Sequence, residues 1–447
     1  MVLLLSRVKQ WEESIHDTCD RTQCRALSEQ ARSRALAPFR IRAFRYQWPA
    51  DLATSWAFEM ESLILGWYVL IETRSVLLLT VFASLQFIGT LIAPMFGVVG
   101  DRVGHRNLLC AMRGFYAMLA TLLMTFTFMG VLTPVHVFAI AALVGLVRPS
   151  DIGVRAALVA DTMPAVQLMG AMGIQRTTQD SARIAGALTG AGLVATLGMG
   201  AAYLLVASLY AMSVLLTLKA GTARAVPAAT KEAASATTPL SPWRDLRQGL
   251  AYVWTTPHLL AAMCLAFMLN MTAFPLMNGL LPYVAKEVYN TDQTGLGYMV
   301  AGAAFGALLG SIALSRHGSL IQQARTMIVA CVFWYSLLLV FAHVQVHVTG
   351  ILVLMLAGCA QSVSQIPMAA MLLRTSGQQF RGRVMGIRML AIYGNLPGLL
   401  LSGPLISRFG YAATASLYCS LGLVVMLLIV VRWRAHLWRR DAAANAQ

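Results

Sequence analysis

The chain has 447 residues; only 12% are charged, 58% are apolar, and its mean hydropathy is +0.67. An ordinary soluble domain carries about 25% charged residues, so this composition excludes a soluble enzyme, a disordered chain and a disulfide scaffold. The net charge is +16, but the Lys and Arg residues fall in short segments between long uncharged runs, a pattern set by membrane topology rather than by nucleic-acid binding.

Residues 1–45 are rich in basic side chains, and the Val2–Leu5 run is too short for a signal-peptide core. The stretch reads as a cytoplasmic N-terminal extension or as the product of an upstream start codon. A bilayer-spanning helix needs about 20 mostly apolar residues. On that measure the chain predicts twelve spans, near 46–71, 75–99, 107–130, 135–158, 168–193, 198–218, 259–284, 294–314, 326–345, 347–373, 384–407 and 410–431. The expected loops facing outward hold only Arg74, Lys286 and Arg408, whereas the other loops and both ends hold most of the basic residues. Both termini are therefore expected in the cytoplasm, as for a multi-pass protein of a bacterial inner membrane. The fold class is an all-α membrane protein with two six-helix bundles, residues 46–219 and 258–432, around a central cavity. Residues 220–257 form the expected cytoplasmic linker: Gly221 to Pro242 is rich in Ala, Thr and Pro, and Trp243 to Trp254 suits a helix lying on the membrane surface. Residues 433–447 form a cytoplasmic tail.

The two halves echo each other. Met172-Gly173-Ile174 recurs as Met385-Gly386-Ile387, and Arg102-Val103-Gly104 has a weaker counterpart in Arg316-His317-Gly318. The offsets, 213 and 214, are nearly equal, as duplication of a six-span unit requires. Parallel repeats of this kind build rocking transporters.

Ionisable residues inside spans are costly and are read by default as functional. Span one holds Glu59 and Glu61, span four Arg148, Asp151 and Arg155, and span five Arg176, Asp180 and Arg183. Offsets of three and four share a helix face, so each Asp can bridge two Arg residues. That leaves about +1 on each of spans four and five against −2 on span one. Glu59 and Glu61 lie about 200° apart on a helix, so one of them is expected to face the cavity. Arg155 and Arg176 are placed near the cytoplasmic surface as loop-type charges. Polar candidates in the C-terminal half are Asn270, Asn278, Gln361, Gln365, Tyr393 and Asn395, each also suited to plain helix packing. Cysteine and histidine spacings give no disulfide framework and no metal site, and no cofactor is expected.

Between spans two and three the chain reads Gly97-Val-Val-Gly-Asp101-Arg102-Val-Gly104-His105-Arg106. This resembles the signature loop of the major facilitator superfamily, with departures at Val99, Gly100 and His105. The resemblance implies a cytoplasmic latch in which Arg102 pairs with an acid at the inner end of span four, Asp161 being the candidate. Three further stretches, Leu65-Gly66-Trp67-Tyr68-Val69-Leu70, the region from Pro164 through Gly186, and Phe380-Arg381-Gly382-Arg383-Val384-Met385-Gly386, are similar to the proton-linked exporters related to the enterobactin and macrolide efflux proteins. That family lines its cavity with spans one, four and five.

The resemblance implies a secondary active transporter, not an enzyme, that exports an amphiphilic small molecule against protons by alternating access and works as a monomer in the lipid bilayer. Burial and a neighbouring guanidinium act oppositely on a carboxylate, so Glu61 or Glu59 can be poised for proton exchange with Arg148 and Arg183 as partners. The same charges also suit a static network that fixes helix register. An importer, a lipid-moving relative, and a sensor or scaffold that transports nothing are the alternatives.

Overall fold

The computed structural model describes residues 37–220, 248, 251–317, 323–375, 388 and 390–432, and every regular element among them is helical. Span one is Arg42–Thr73, begun earlier than its hydropathy suggests. It ends on Arg74 in the left-handed region, φ 49°. Span two is broken: Val76–Leu85, a 3-10 turn at Ile88–Leu91, then Ala93–Val103. Spans three and four are His105–Phe128 and Pro134–Thr162.

Spans five and six share one helical stretch of 55 residues, Ala165–Lys219. At about 1.5 Å per residue this is more than twice the thickness of a bilayer core. The backbone leaves the helix at Gly198, φ 81°, a conformation that favours glycine. Hydrogen bonds to span one show that the chain reverses there. Before Gly198 the contacts advance together, Trp48 with Thr178 and Trp56 with Thr189. Beyond it they run in opposite order, Thr54 with Ser213 and Glu61 with Tyr210. Span five is therefore parallel to span one, and span six antiparallel.

Span seven starts as Pro257–Met268 and continues through wide π-turns at Leu269–Ala273, Pro275–Gly279 and Val284–Val288. Pro275 and Pro282 lack the N–H that a regular helix would use there. Gln293–His317, Gln323–His343 and His347–Thr375 are spans eight to ten. Span eleven includes the 3-10 turn Ala391–Gly394 and the helix Asn395–Phe409, and span twelve is Tyr411–Arg432. Eight helices are individually long and apolar enough to cross a bilayer. The doubled helix supplies a further crossing. Acid-bearing span one, broken span two and short span eleven complete twelve. The linker at 221–242, most of the 243–254 segment and the repeat at 385–387 lie outside the described residues.

Each half has its own core. Met60, Ile64, Tyr116, Leu123 and Tyr203 pack in the first; Met277, Trp334, Leu354 and Met368 pack in the second. Leu63, Ala187 and Ala191 of the first half join the second core, which marks where the halves meet. Small residues bring the backbones together at that seam. A Cβ on Gly66 would touch Pro282, on Gly279 it would strike Leu399 and Ala83, on Gly297 Ala191, and on Gly403 Thr80 and Leu77. Among the described residues these four approaches between halves all lie toward the Arg74 and Gly410 turns. The two halves are therefore in close contact on the side of these turns.

Gly403→Leu is expected to prise this seam open. The check is maleimide labelling of Ala83→Cys, a buried seam position, in a cysteine-free background. Labelling should be several-fold faster with the added side chain, and equal rates would show that this contact does not hold the seal.

Candidate functional site

The N-terminal bundle carries two separate polar systems. The first centres on Asp51, in span one and almost fully buried. Its Oδ1 pairs with Arg113 of span three and lies 3.9 Å from Nε of Arg155 in span four. Its Oδ2 accepts from Gln175 of span five at 3.1 Å. Arg113, with no exposed side-chain surface, also donates to Thr217 of span six. Arg155 pairs with Asp151 one turn back and donates to Ser55 Oγ at 2.9 Å. This carboxylate thus ties four helices together, and Arg113 extends the network to a fifth. Its cleft is lined by Ser55, Ile152, Arg155, Met172, Gln175 and Arg176, among others.

This corrects three expectations. Arg155 is buried inside the bundle and not a surface charge, because span four runs on for two turns to Thr162. Asp151 pairs with Arg155 but not with Arg148. Asp180 meets Arg176 at 3.5 Å, while Arg183 turns to other partners. A shared helix face makes such pairs possible; a better placed acceptor on a neighbouring helix takes the side chain instead.

The second system lies deeper, where spans one, two, four, five and six meet. Glu61 is buried and accepts a 2.9 Å hydrogen bond from Tyr210 Oη of span six. No cation is within ion-pair distance of it among the described residues. Glu59, on the other side of the helix, is half-buried, with Oε2 4.0 Å from Nε of Arg183. Gly186 and Gly190 let span five approach this stretch, because a Cβ on either would press on Glu59 or Met60. Arg148 stacks on the Phe58 ring and donates to Gln86 Oε1 at 3.0 Å, an arrangement that favours a desolvated guanidinium. It lies in the electrostatic field of both acids.

The C-terminal half contributes amides. Asn278 accepts from Arg183 and so links the two halves. Asn395 donates to Asn270 at 2.8 Å, joining spans eleven and seven, and Asn270 also donates to the Ala266 carbonyl. Gln365 accepts from Arg388 at 3.5 Å. The Tyr393 hydroxyl is buried and has no hydrogen-bond partner among the described residues. Gln361 offers its backbone carbonyl to Ser364. Among the described residues no His, Cys, Asp and Glu group could hold a metal ion.

The sequence pattern of the Major Facilitator Superfamily matches residues 53–394 and, in a second alignment, 263–445. The chain belongs to this superfamily. Solved transporters share the fold. A point mutant of the nucleoside transporter NupG superposes with a TM-score of 0.68 at 14% identity, covering 89% of this chain and 100% of its own. A D-xylose-proton symporter gives 0.66 at 12%, over 86% and 96%. A POT family transporter in complex with 5-aminolevulinic acid gives 0.67 at 12%, over 89% and 97%. No curated protein matches the sequence. At these identities the likeness establishes the fold and, with the family, a membrane transporter of small molecules.

The superfamily's signature loop departs from expectation in one respect. Gly104, φ 91°, makes the reversal between spans two and three. Asp161 is engaged by His105, Nδ1 to Oδ2 at 2.7 Å, whereas Arg102 is exposed. His105 stands directly after the turn and reaches span four first. Arg106 donates through Nε to the Thr217 carbonyl at 3.2 Å and also to the Leu218 carbonyl, so it caps the open end of span six, where cations are favoured. The surroundings of Gly97 and the side chain of Asp101 lie outside what the structure describes.

Proposed function

We infer that this superfamily member is a proton-coupled exporter of an amphiphilic small molecule, working by alternating access in a bacterial inner membrane with both termini cytoplasmic. On that orientation the seam closed near Arg74 is the outer gate, and the described conformation faces inward. The observation that carries the reading is Glu61: a carboxylate at span depth, enclosed by the bundle, with one neutral phenol as its hydrogen-bond donor. A group so placed can take up a proton and give it back when the helices around it rearrange. Glu59 and Arg183, facing the cavity and reaching Asn278, provide a second exchange point that senses both halves. Apolar walls, with Phe58 and Met172 at hand, suit an amphiphilic cargo. The direction of transport rests on the resemblance to proton-linked exporters.

The test is flux of a fluorescent amphiphilic dye in proteoliposomes under an imposed pH gradient. Glu61→Gln should reduce gradient-driven flux to the level of empty liposomes while leaving gradient-free exchange of dye intact. Glu59→Gln should weaken both. Unchanged gradient-driven flux in both variants would remove the coupling role.

A further inference from the structure

Resting on Glu61 as the proton-exchanging carboxylate, we propose that Tyr210 and Tyr116 relay protons between Glu61 and Asp151, beside the Asp51 cleft on the terminus side. Glu61 is 5% exposed, so a proton must reach it through the bundle. Ten residues of span one separate it from Asp51, about 15 Å along a helix. Two phenols stand in that interval. Tyr210 Oη donates to Glu61 Oε2 at 2.9 Å, and its ring lies 5.6 Å from that of Tyr116, centroid to centroid. Tyr116 and Asp151 are both buried, and Tyr116 Oη and Asp151 Oδ1 have no hydrogen-bond partner among the described residues. Leaving such atoms unpaired is costly. A relay group has to accept on one side while donating on the other, and that requires capacity held in reserve.

Helix register brings Tyr116 and Asp151 to one depth. Asp51 engages Arg113 and Arg155 together. Tyr116 lies one turn beyond Arg113 and Asp151 one turn beyond Arg155, both away from the termini, because spans three and four run in opposite directions. On the terminus side of that level, Leu109 and Met112 of span three pack with Val154 and Leu158 of span four. Tyr116 also lies in the electrostatic field of Asp151 and Arg155. Asp151 is paired with Arg155, which with Asp51 lines a cleft of about 160 Å³ that reaches exposed Arg176, room for several waters. For uptake, Asp151 Oδ1 takes a proton from the aqueous cleft and passes it to Tyr116 Oη. Tyr116 gives its own proton to Tyr210 Oη, across one water or a tilt of the ring, and Tyr210 gives its own to Glu61 Oε2. Each phenol gains one O–H bond and loses one, Asp151 ends ionised again, and Glu61 ends neutral. Release reverses the sequence.

The test is time-resolved infrared spectroscopy of the full-length chain in detergent after a pH jump, following the protonated-carboxyl band that Glu61→Gln removes. Tyr116→Phe should slow the rise of this band by about a hundredfold, the low end for loss of a positioned proton-transfer group, and leave its equilibrium midpoint unchanged. Tyr210→Phe should slow the rise as much and also move the midpoint, since it deletes the hydrogen bond to Glu61. Tyr116→Phe removes an unpaired hydroxyl, so Tm should not fall. Tyr203→Phe is the control: its buried hydroxyl is likewise unpaired among the described residues, but it lies two turns from Tyr210 toward Gly198. Its rate should match that of the unsubstituted protein. An unchanged rate in Tyr116→Phe, or equal slowing in Tyr203→Phe, would overturn the relay. A titrating Glu61 band with unchanged rates sinks the relay alone, whereas a band that never titrates removes the exchange role of Glu61 and the relay with it.

Discussion

Asp51→Ala is expected to destabilise the protein by about 3–5 kcal/mol, the range for removing one partner of a buried ion pair. The reason lies in Arg113, which has no exposed side-chain surface and, among the described residues, keeps Thr217 as its hydrogen-bond partner once Asp51 is gone. Arg155 loses less, because Asp151 still holds it. Gln175 loses the acceptor that joins span five to span one. The measurement is thermal unfolding in detergent with tryptophan fluorescence. The double variant Asp51→Leu with Arg113→Leu should recover much of the loss, since replacing both charges by apolar groups is often close to neutral. A double variant as unstable as Asp51→Ala would mean that the carboxylate acts through its other contacts.

Gly306→Leu should disrupt the C-terminal bundle by a comparable amount. Gly302, Gly306 and Gly310 follow each other at intervals of four on span eight, and span ten lies against them. A Cβ on Gly306 would collide with the Met355 carbonyl, on Gly310 with the Cys359 backbone, and, from the other side, on Gly358 with the Ala303 carbonyl. These obstacles are backbone atoms, which cannot rotate away as a flexible side chain can. Close packing through small residues is the main source of helix association in lipid. Overfilling a packed contact costs about 1–3 kcal/mol even for modest additions, and a leucine exceeds that. Gly114→Ala is the matched control, because nothing stands within 4 Å of its added Cβ. Equal stability of the two variants in a denaturation series would show that spans eight and ten separate without loss.

Several features of the site were legible before any coordinates. Glu59 and Glu61 are acids within a span, and their angular separation already implied different environments: one meets Arg183, the other Tyr210 inside the bundle. Asp51 was overlooked although it too falls inside the first predicted span. The signal was the same, an ionisable residue at span depth, but it lay close to the assumed end of the helix. The actual helix begins at Arg42, so Asp51 is over two turns inside it. The doubled helix of spans five and six shows the converse. Its hydropathy gave two segments, and Gly198 was the one residue needed to turn between them.

By itself the sequence determined that the chain lives in lipid, that it crosses about twelve times and that its halves repeat. These depend on composition and on spacing along one helix, and the bilayer imposes both directly. Only the tertiary structure decided which charge meets which. Arg148 left Asp151 for Phe58 and Gln86, Arg183 chose Glu59 and Asn278 over Asp180, and His105 displaced Arg102 at Asp161. Helical periodicity fixes the direction in which a side chain leaves its own helix. It carries no information about how near a neighbouring helix stands, and a charge is compensated by whichever partner lies within reach.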